Sequence, residues 1–301
     1  MKTSKLLGSL IIAIMAPHLL LAGAGTTGAV LLKESVGSRS LAMGDAYAGL
    51  SNGPDSIYLN PAGLAAVETP ELGAMYFKEI ADMNLTAIQY AQPLNQLGSL
   101  GIGIESFSAG TMEVNYLNGD SKSVNAQTDY IINAAYGVHL KGGLSAGADL
   151  KYLNSKLAEA ESANAVALDL GGLYNLPQMK EVTLGLALQN MGGGIKYIDE
   201  KDPLPFTVRV GAAYQTQLQN NIFTISGDLN KPKELSARFN LGAECLYNQV
   251  IALRAGYKFG YDVDSFTAGF GVKINRYRLD YAFAPKGDLG DTHRLSLGIT
   301  F

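Results

Sequence analysis

The chain has 301 residues, of which 47% are hydrophobic and only 17% are charged, and its net charge is −4. Soluble domains usually carry about 25% charged residues, so this chain is poorly equipped for a fully solvated surface. The acidic balance argues against nucleic-acid binding, which needs a basic face. The single cysteine, Cys245, excludes an intramolecular disulfide and a cysteine-based metal cage.

Residues 1–24 are predicted to be a secretory signal peptide. Lys2 and Lys5 form a short basic region, an apolar run follows, and Ala22-Gly23-Ala24 supplies the small residues of a cleavage site. An uncleaved membrane helix is the alternative, but Pro17 interrupts the apolar run. The stretch from Gly23 to Gly28 matches a dinucleotide fingerprint, but cleavage would cut it, so no cofactor is expected.

The stretch at 40–65, SLAMGDAYAGLSNGPDSIYLNPAGLA, is rich in small residues and nearly uncharged. Its Gly and Pro content suits neither a regular helix nor a strand. A flexible tether would not need an ordered succession of Met-Gly, Asx-Pro and Asn-Pro-Ala-Gly. The stretch is therefore expected to be a specific structure that precedes the next unit.

Residues 71–301 consist of short segments in which apolar and polar residues alternate. In HRLSLGITF, Leu295 and Leu297 share one face with Phe301, and Arg294 and Ser296 share the other. A soluble β-sandwich would turn the apolar face inward, whereas a transmembrane barrel turns it toward lipid. The polar faces hold small residues and isolated charges rather than dense Lys and Glu. We therefore predict an all-β fold, a transmembrane antiparallel barrel of about 14 strands, with the sandwich as the alternative.

The connections and the aromatic residues indicate how the barrel lies in its membrane. Short connections alternate with longer ones, as they do between the two ends of outer-membrane barrels. Aromatic residues prefer the membrane interface, and five are expected at the periplasmic strand ends: Tyr174, Tyr214, Tyr247, Tyr277 and Phe301. Phe301, which closes an alternating strand, is also the expected membrane-insertion signal. The predicted location is the outer membrane of a Gram-negative-type bacterium.

Charged residues on the inward faces are predicted to form a polar network in the lumen: Glu105, Arg209, Arg238, Glu244, Arg254, Lys258, Arg278 and Asp280. One interpretation is that they neutralise each other and stiffen the wall. The other is that they form a polar site that orients an anionic head group or docks a plug. His139 and His293 fall at strand ends on opposite faces, which argues against a shared acid–base site. We expect neither enzymatic activity nor a metal site.

Residues 37–65 resemble the N-terminal segment of PorV/PorQ-type proteins within the FadL-like superfamily of outer-membrane barrels. The resemblance rests on a Gly-x-Arg-x-x-x-Met-Gly-x-Ala pattern that starts at Gly37, on Asp55 and on the NPAG tetrapeptide. It implies that residues 25–70 fold inside the barrel, residues 71–301, as a plug or hatch. The implied plug and gating residues are Arg39, Met43, Gly44, Asp45, Asp55, Asn60, Pro61, Ala62 and Gly63.

The resemblance implies two functions. FadL-like barrels conduct hydrophobic small molecules passively, whereas PorV-like barrels are accessories of type IX secretion that receive cargo proteins and hand them on. A protein cargo should need long outward loops, and those here are modest, so the sequence favours a barrel that binds or conducts a hydrophobic ligand. The expected partners are outer-membrane lipids, the barrel-assembly machinery, a hydrophobic ligand in the lumen and, in the second case, secretion-system components.

Overall fold

The structure is a computed structural model that describes residues 27–78, 82–263 and 265–301. The predicted signal peptide lies outside the described residues. Within those ranges, no helix is both long and apolar enough to cross a membrane.

The described part of the chain is dominated by antiparallel strands. In chain order these are β1 (Glu71–Lys78), β2 (Asn84–Pro93), β3 (Ser99–Ser108), β4 (Thr111–Asn115), β5 (Ser121–Asn125), β6 (Gln127–His139), β7 (Leu144–Leu157), β8 (Glu161–Asn175), β9 (Val182–Gly192), β10 (Ile195–Lys196), β11 (Lys201–Asp202), β12 (Thr207–Leu218), β13 (Asn221–Pro232), β14 (Arg238–Tyr247), β15 (Ile251–Phe259), β16 (Phe266–Ile274), β17 (Tyr277–Pro285) and β18 (Asp291–Thr300).

Fourteen of these described strands form one closed barrel, which confirms the predicted fold class. Successive barrel strands are neighbours, and the wall closes where β1 pairs with β18, with Glu71 opposite Thr300. The remaining strands form two hairpins, β4–β5 and β10–β11, inside two of the longer connections. The alternation did not predict these hairpins.

The alternation places apolar residues on the outer surface of the barrel. On β3, Ile102 and Ile104 are 57% and 51% exposed, whereas Glu105 on the opposite face is 4% exposed. The inward glycines of the same strand, Gly101 and Gly103, face the buried side chains of Ile57 and Tyr58. This is the reverse of a soluble sandwich and is typical of a barrel surrounded by lipid.

The two ends of the barrel differ in their connections. One end, called the short-turn end, has tight turns such as 219–220, 248–250 and 275–276, and the opposite end, the loop end, has longer connections such as 109–126 and 193–206. In outer-membrane barrels the short turns face the periplasm. The five predicted aromatic residues lie at the short-turn end with exposed side chains, and the Phe301 amide donates a hydrogen bond to the Pro70 carbonyl.

Residues 27–70 form what we call the lumenal segment, because they lie against the inward faces of the barrel strands. Its helical turns are α1 (Ser38–Ala42), α2 (Ser56–Leu59) and two 3-10 helices (Val30–Lys33 and Pro61–Ala66). The apolar core lies where this segment meets the wall, with Met43, Tyr47 and Leu59 in one buried cluster with Phe77 and Ile131. The interior of the barrel is therefore packed rather than empty.

Candidate functional site

Glycines in the wall let the lumenal segment approach the strands closely. A Cβ atom on Gly147 would collide with the backbone of Pro61, and one on Gly171 would collide with the Asn60 side chain. Gly242, on the other side of the barrel, faces the backbone of Met43 in the same way. The segment and the wall are thus shaped to each other at backbone level.

The NPAG tetrapeptide forms a turn that starts a 3-10 helix near the short-turn end. The Asn60 side chain accepts a hydrogen bond from the Ala62 amide (3.2 Å) and donates to the carbonyls of Ala48 (2.8 Å) and Gly172 (3.2 Å). Pro61 lies at the first position of that helix, where its missing N–H costs nothing. Gly63 faces the Ser51 carbonyl too closely to allow a Cβ. The turn joins two parts of the segment to β8.

An alternating series of cations and carboxylates connects the lumenal segment to the wall near the short-turn end. We call it the inner ion-pair chain, and its members are Arg39, Glu244, Arg254, Asp280, Arg278 and Asp55. Arg39 donates to both Glu244 oxygens at 2.9 and 2.7 Å. Arg254 donates to Glu244 (2.5 Å) and to Asp280 (2.6 Å). Each carboxylate in the middle of the chain therefore lies between two guanidinium groups, an arrangement that offsets the cost of burying charge.

Asp55 ends the inner ion-pair chain. Its carboxylate lies 3.8 Å from Arg278 and accepts a hydrogen bond from Gln89 on β2 (2.5 Å). Burial raises the pKa of Asp55 above its ordinary value, because it outweighs the opposing effects of Arg278 and Gln89. Arg278 also pairs with Asp280 at 3.0 Å. The chain thus spans from β14 to β2 by way of the lumenal segment.

A second polar contact lies toward the loop end. Gly44 and Asp45 both have left-handed backbone angles (φ 65° and 58°), which turn the chain and bring Asp45 to Lys258 on β15 at 2.5 Å. Ser35 donates a hydrogen bond to the other Asp45 oxygen (2.6 Å). Burial would raise the pKa of Asp45, but the charges of Lys258 and Arg294 outweigh it and hold that pKa well below its usual range.

Several wall residues that contact the lumenal segment were not predicted as site residues, and Asp228, Arg294 and Gln89 are three of them. Asp228 on β13 accepts hydrogen bonds from the amides of Tyr47 and Ala48, both at 2.7 Å. Arg294 on β18 bonds to the Ser35 carbonyl, and Gln89 holds Asp55. All three occupy inward positions of their strands, so the alternation contains the signal. It does not indicate which inward polar residues meet the segment.

Two of the cavities that border the lumenal segment in the described part of the chain lie toward opposite ends of the barrel. The outer chamber, at the loop end, has a volume of about 270 Å³, and Asp45, Arg209 and Lys258 are among its lining residues. The inner chamber, at the short-turn end, has a volume of about 350 Å³ and is bordered by the inner ion-pair chain. Residues 39–53 run from the inner chamber to the outer one and back. Met43 and Tyr47, both almost fully buried, lie on this stretch and line neither chamber.

The charged residues among the predicted site residues fall into three groups. Six form the inner ion-pair chain, and Asp45, Lys258, Arg209 and Arg238 line the outer chamber. Glu105 belongs to neither group, because it is buried on β3 and accepts a hydrogen bond from Asn133 (3.1 Å), near the Lys151–Asp169 ion pair. His139 bonds to Ser145 at the short-turn end and His293 bonds to Tyr281 at the loop end, so the structure keeps the two histidines apart.

The sequence matches a protein-family model, and the fold matches several solved structures. The family model described as "Type IX secretion system protein PorV" matches residues 22–235. No match was found among proteins with curated functions.

Similar solved structures share the fold at low sequence identity. The toluene transporter TodX of Pseudomonas putida is 14% identical with a TM-score of 0.60, and the match covers 88% of this chain and 96% of that one. The monoaromatic hydrocarbon channel CymD is 12% identical with a TM-score of 0.62, over 89% and 98% of the two chains. A FadL homologue of Pseudomonas aeruginosa is 11% identical with a TM-score of 0.56, over 89% and 99%.

Proposed function

Because the chain belongs to the PorV family and forms an outer-membrane barrel, we propose that it is an accessory of type IX secretion that receives secreted proteins at its loop end. In this function the lumen stays closed, and the partner is held by the surface that the barrel presents outside the membrane. The resemblance in residues 37–65 had left this role as the alternative to a ligand conduit.

The observation that carries the proposal is the way the lumenal segment is fastened. Arg39 and Asp55 connect it to the wall at the short-turn end, and Asp45 connects it at the loop end. The amides of Tyr47 and Ala48 are held by Asp228 between those levels. Breaking a buried ion pair costs about 3–5 kcal/mol, so moving the segment would require several such losses at once. A barrel with this interior is suited to holding a shape rather than to frequent opening.

The loop end offers a surface for a protein partner. The β4–β5 hairpin lies in the connection between β3 and β6, and its turn exposes Tyr116 and Leu117, with Leu117 fully exposed. Tyrosine and other apolar side chains on a protruding element are typical of protein-interaction surfaces. Because the hairpin protrudes, this connection can contact a protein partner, which its length alone did not suggest.

A second function, conduction of a hydrophobic small molecule, is favoured by the outer chamber. That chamber opens near the loop end and has a volume of about 270 Å³, close to the lower limit of ordinary ligand pockets. The fold shared with a toluene transporter supports the same function. For this chain to conduct, the lumenal segment would have to move, because residues 39–53 run between the two chambers.

A disulfide lock can separate the two functions. The hydroxyls of Ser38 in the segment and Ser296 on β18 lie 2.8 Å apart, so Ser38→Cys with Ser296→Cys, in a Cys245→Ser background, would join the segment to the wall. We expect the oxidised variant to restore secretion of type IX substrates in a strain that lacks the gene. Toluene flux into liposomes that contain the purified barrel tests the conduit.

The control is Cys245→Ser alone, and reduction of the disulfide restores the starting state. Normal secretion in the deletion strain would contradict the accessory function. Toluene flux that is present in the control, lost on oxidation and restored on reduction would establish the conduit instead. Replacing residues 111–125 by a Gly-Ser linker should abolish secretion while leaving any toluene flux unchanged.

A further inference from the structure

The outer chamber is strongly basic in a chain whose net charge is −4. Among the described residues that line it, cations outnumber carboxylates by six to two. The cations are Lys33, Arg209, Arg238, Lys258, Lys286 and Arg294, and the carboxylates are Glu34 and Asp45. Low-dielectric walls focus the field of such a cleft and attract ions of opposite sign.

Two of these cations have no ion pair within the part of the chain that the structure describes. Arg209 is only 8% exposed, its Nε has no hydrogen-bond partner, and its Nη1 reaches only the Asp45 carbonyl at 3.5 Å. Asp228 uses Oδ2 for the amides of the lumenal segment. Arg238 stacks on the Tyr261 ring, with its guanidinium carbon 4.2 Å from the ring centroid. The Asp228 carboxylate is within electrostatic reach of Arg209 but forms no ion pair with it, so a ligand anion would compensate this buried guanidinium more completely.

The chamber also has an apolar side. Its lining includes Leu32 and Leu41 from the lumenal segment and Pro205, Pro232 and Leu235 from the wall and its connections. The polar and apolar lining residues therefore form one cavity, which suits a molecule with both kinds of surface.

We propose that the outer chamber binds a small amphiphile whose carboxylate or phosphate group lies between Arg209 and Arg238 and whose short apolar part contacts the leucine and proline side chains. Asp45 is the internal competitor for this ligand. Its carboxylate lies 2.5 Å from the Lys258 ammonium and neutralises part of the positive charge that would attract a bound anion. The site goes beyond the secretion function, since it does not use the β4–β5 hairpin. It lies in the chamber that favours the second function, but binding there does not require the lumenal segment to move.

The experiment is isothermal titration calorimetry on the folded, detergent-solubilised full barrel. The probes are hexanoate, hexyl phosphate, hexanol and inorganic phosphate. We expect the two anionic amphiphiles to bind, at least tenfold more tightly than hexanol or inorganic phosphate, and a preference between them identifies the head group. Binding of hexanol as tight as that of hexanoate, or no binding of either amphiphile, would overturn the proposal. Equal affinity for phosphate and hexyl phosphate would overturn its apolar part.

Two variants with opposite expected signs distinguish binding from a structural effect. Arg209→Gln with Arg238→Gln should weaken binding of hexanoate at least tenfold, whereas Asp45→Asn should tighten it about threefold by removing the competitor. Lys122→Gln with Lys196→Gln removes the same charge from exposed hairpins and should change nothing. Arg238→Gln alone, at the partly exposed rim, tests the site if Arg209→Gln fails to fold. Equal losses in the test and control pairs, or weaker binding with Asp45→Asn, would refute the site.

Discussion

The inner ion-pair chain and the outer chamber contain the same kinds of charged side chain in different proportions. In the inner chain, cations and carboxylates alternate from Arg39 to Asp55, and Glu244 and Asp280 each contact two guanidinium groups. In the outer chamber, Asp45 and Glu34 face a larger number of cations. Ion pairs fix the lumenal segment to the wall in the first region. In the second, Arg209 and Arg238 form no ion pair among the described residues and are available for the proposed ligand. The comparison predicts that substitutions in the first region affect stability most, while those in the second affect it less.

The largest effect is expected from Glu244→Gln. This change leaves Arg39 and Arg254 buried without a full counter-charge, and it should lower the free energy of unfolding by about 3–5 kcal/mol. Urea unfolding, followed by the difference in gel mobility between boiled and unboiled samples, measures the loss. Glu113→Gln in the exposed β4–β5 hairpin is the control and should stay within about 0.5 kcal/mol of the parent. A loss at Glu244 no larger than the control's would mean that the ion pairs do not fasten the segment.

A somewhat smaller effect is expected from Gly171→Ala, which tests the shape of the wall rather than its charge. The new Cβ would collide with the Asn60 side chain, whereas at the neighbouring Gly172 a Cβ meets nothing within 4 Å. Overpacking of this kind costs about 1–3 kcal/mol. Hydrogen–deuterium exchange of residues 58–66 should accelerate in Gly171→Ala and remain slow in Gly172→Ala. Equal exchange in the two variants would show that the segment does not depend on close approach.

The Asp45–Lys258 pair should contribute in a pH-dependent way. Because the pKa of Asp45 is lowered in the folded barrel, its stabilisation is complete above the unfolded value of about 4 and is lost as the pH falls below it. At pH 7, Asp45→Asn should reduce the protection of residues 41–48 by about 2 kcal/mol. Hydrogen exchange at pH 7, 5 and 3, corrected for intrinsic rates, should show the gap between variant and parent narrowing at pH 3. A gap that stays constant would contradict the ionic contribution of Asp45, and Asp120→Asn in an exposed turn controls for general acid effects.

The smallest effect is expected from Tyr261→Leu. The ring contacts the guanidinium of Arg238 (4.2 Å) and the ammonium of Lys258 (5.5 Å), and such contacts contribute about 0.5–1 kcal/mol at partly exposed sites. Urea unfolding of Tyr261→Leu should show a loss of that size, and Tyr116→Leu at the hairpin tip should show none. If Tyr261→Leu cost as much as Glu244→Gln, the division between a fastening region and a binding region would be wrong.

Much of the wall could be predicted because side-chain direction in a strand is a local property. The alternation assigned Glu244, Arg254 and Asp280 to the lumen from the residues beside them alone. The pairing of Arg39 with Glu244 could not be predicted, since it joins positions 205 residues apart and depends on the path of the lumenal segment. The same limit applies to Gly171 and Gly172. They are the same residue type, but a Cβ on Gly171 would meet the Asn60 side chain and one on Gly172 would meet nothing within 4 Å. The hairpins were missed because their strands are short: β4 and β5 have five residues each and β10 and β11 have two each, which is too few for a clear alternating pattern.

The pairing of β1 with β18 has a consequence for the order of assembly. Glu71 and Thr300 lie at opposite ends of the barrel's chain, so this seam forms only after all the other strands exist, and contacts between distant positions form slowly. The lumenal segment precedes β1 and is translated first. It can therefore act as a folding template, because the glycines and inward charges of each later strand can pack against it before the wall closes. The residues that hold the finished interior would then also select the correct register of the sheet.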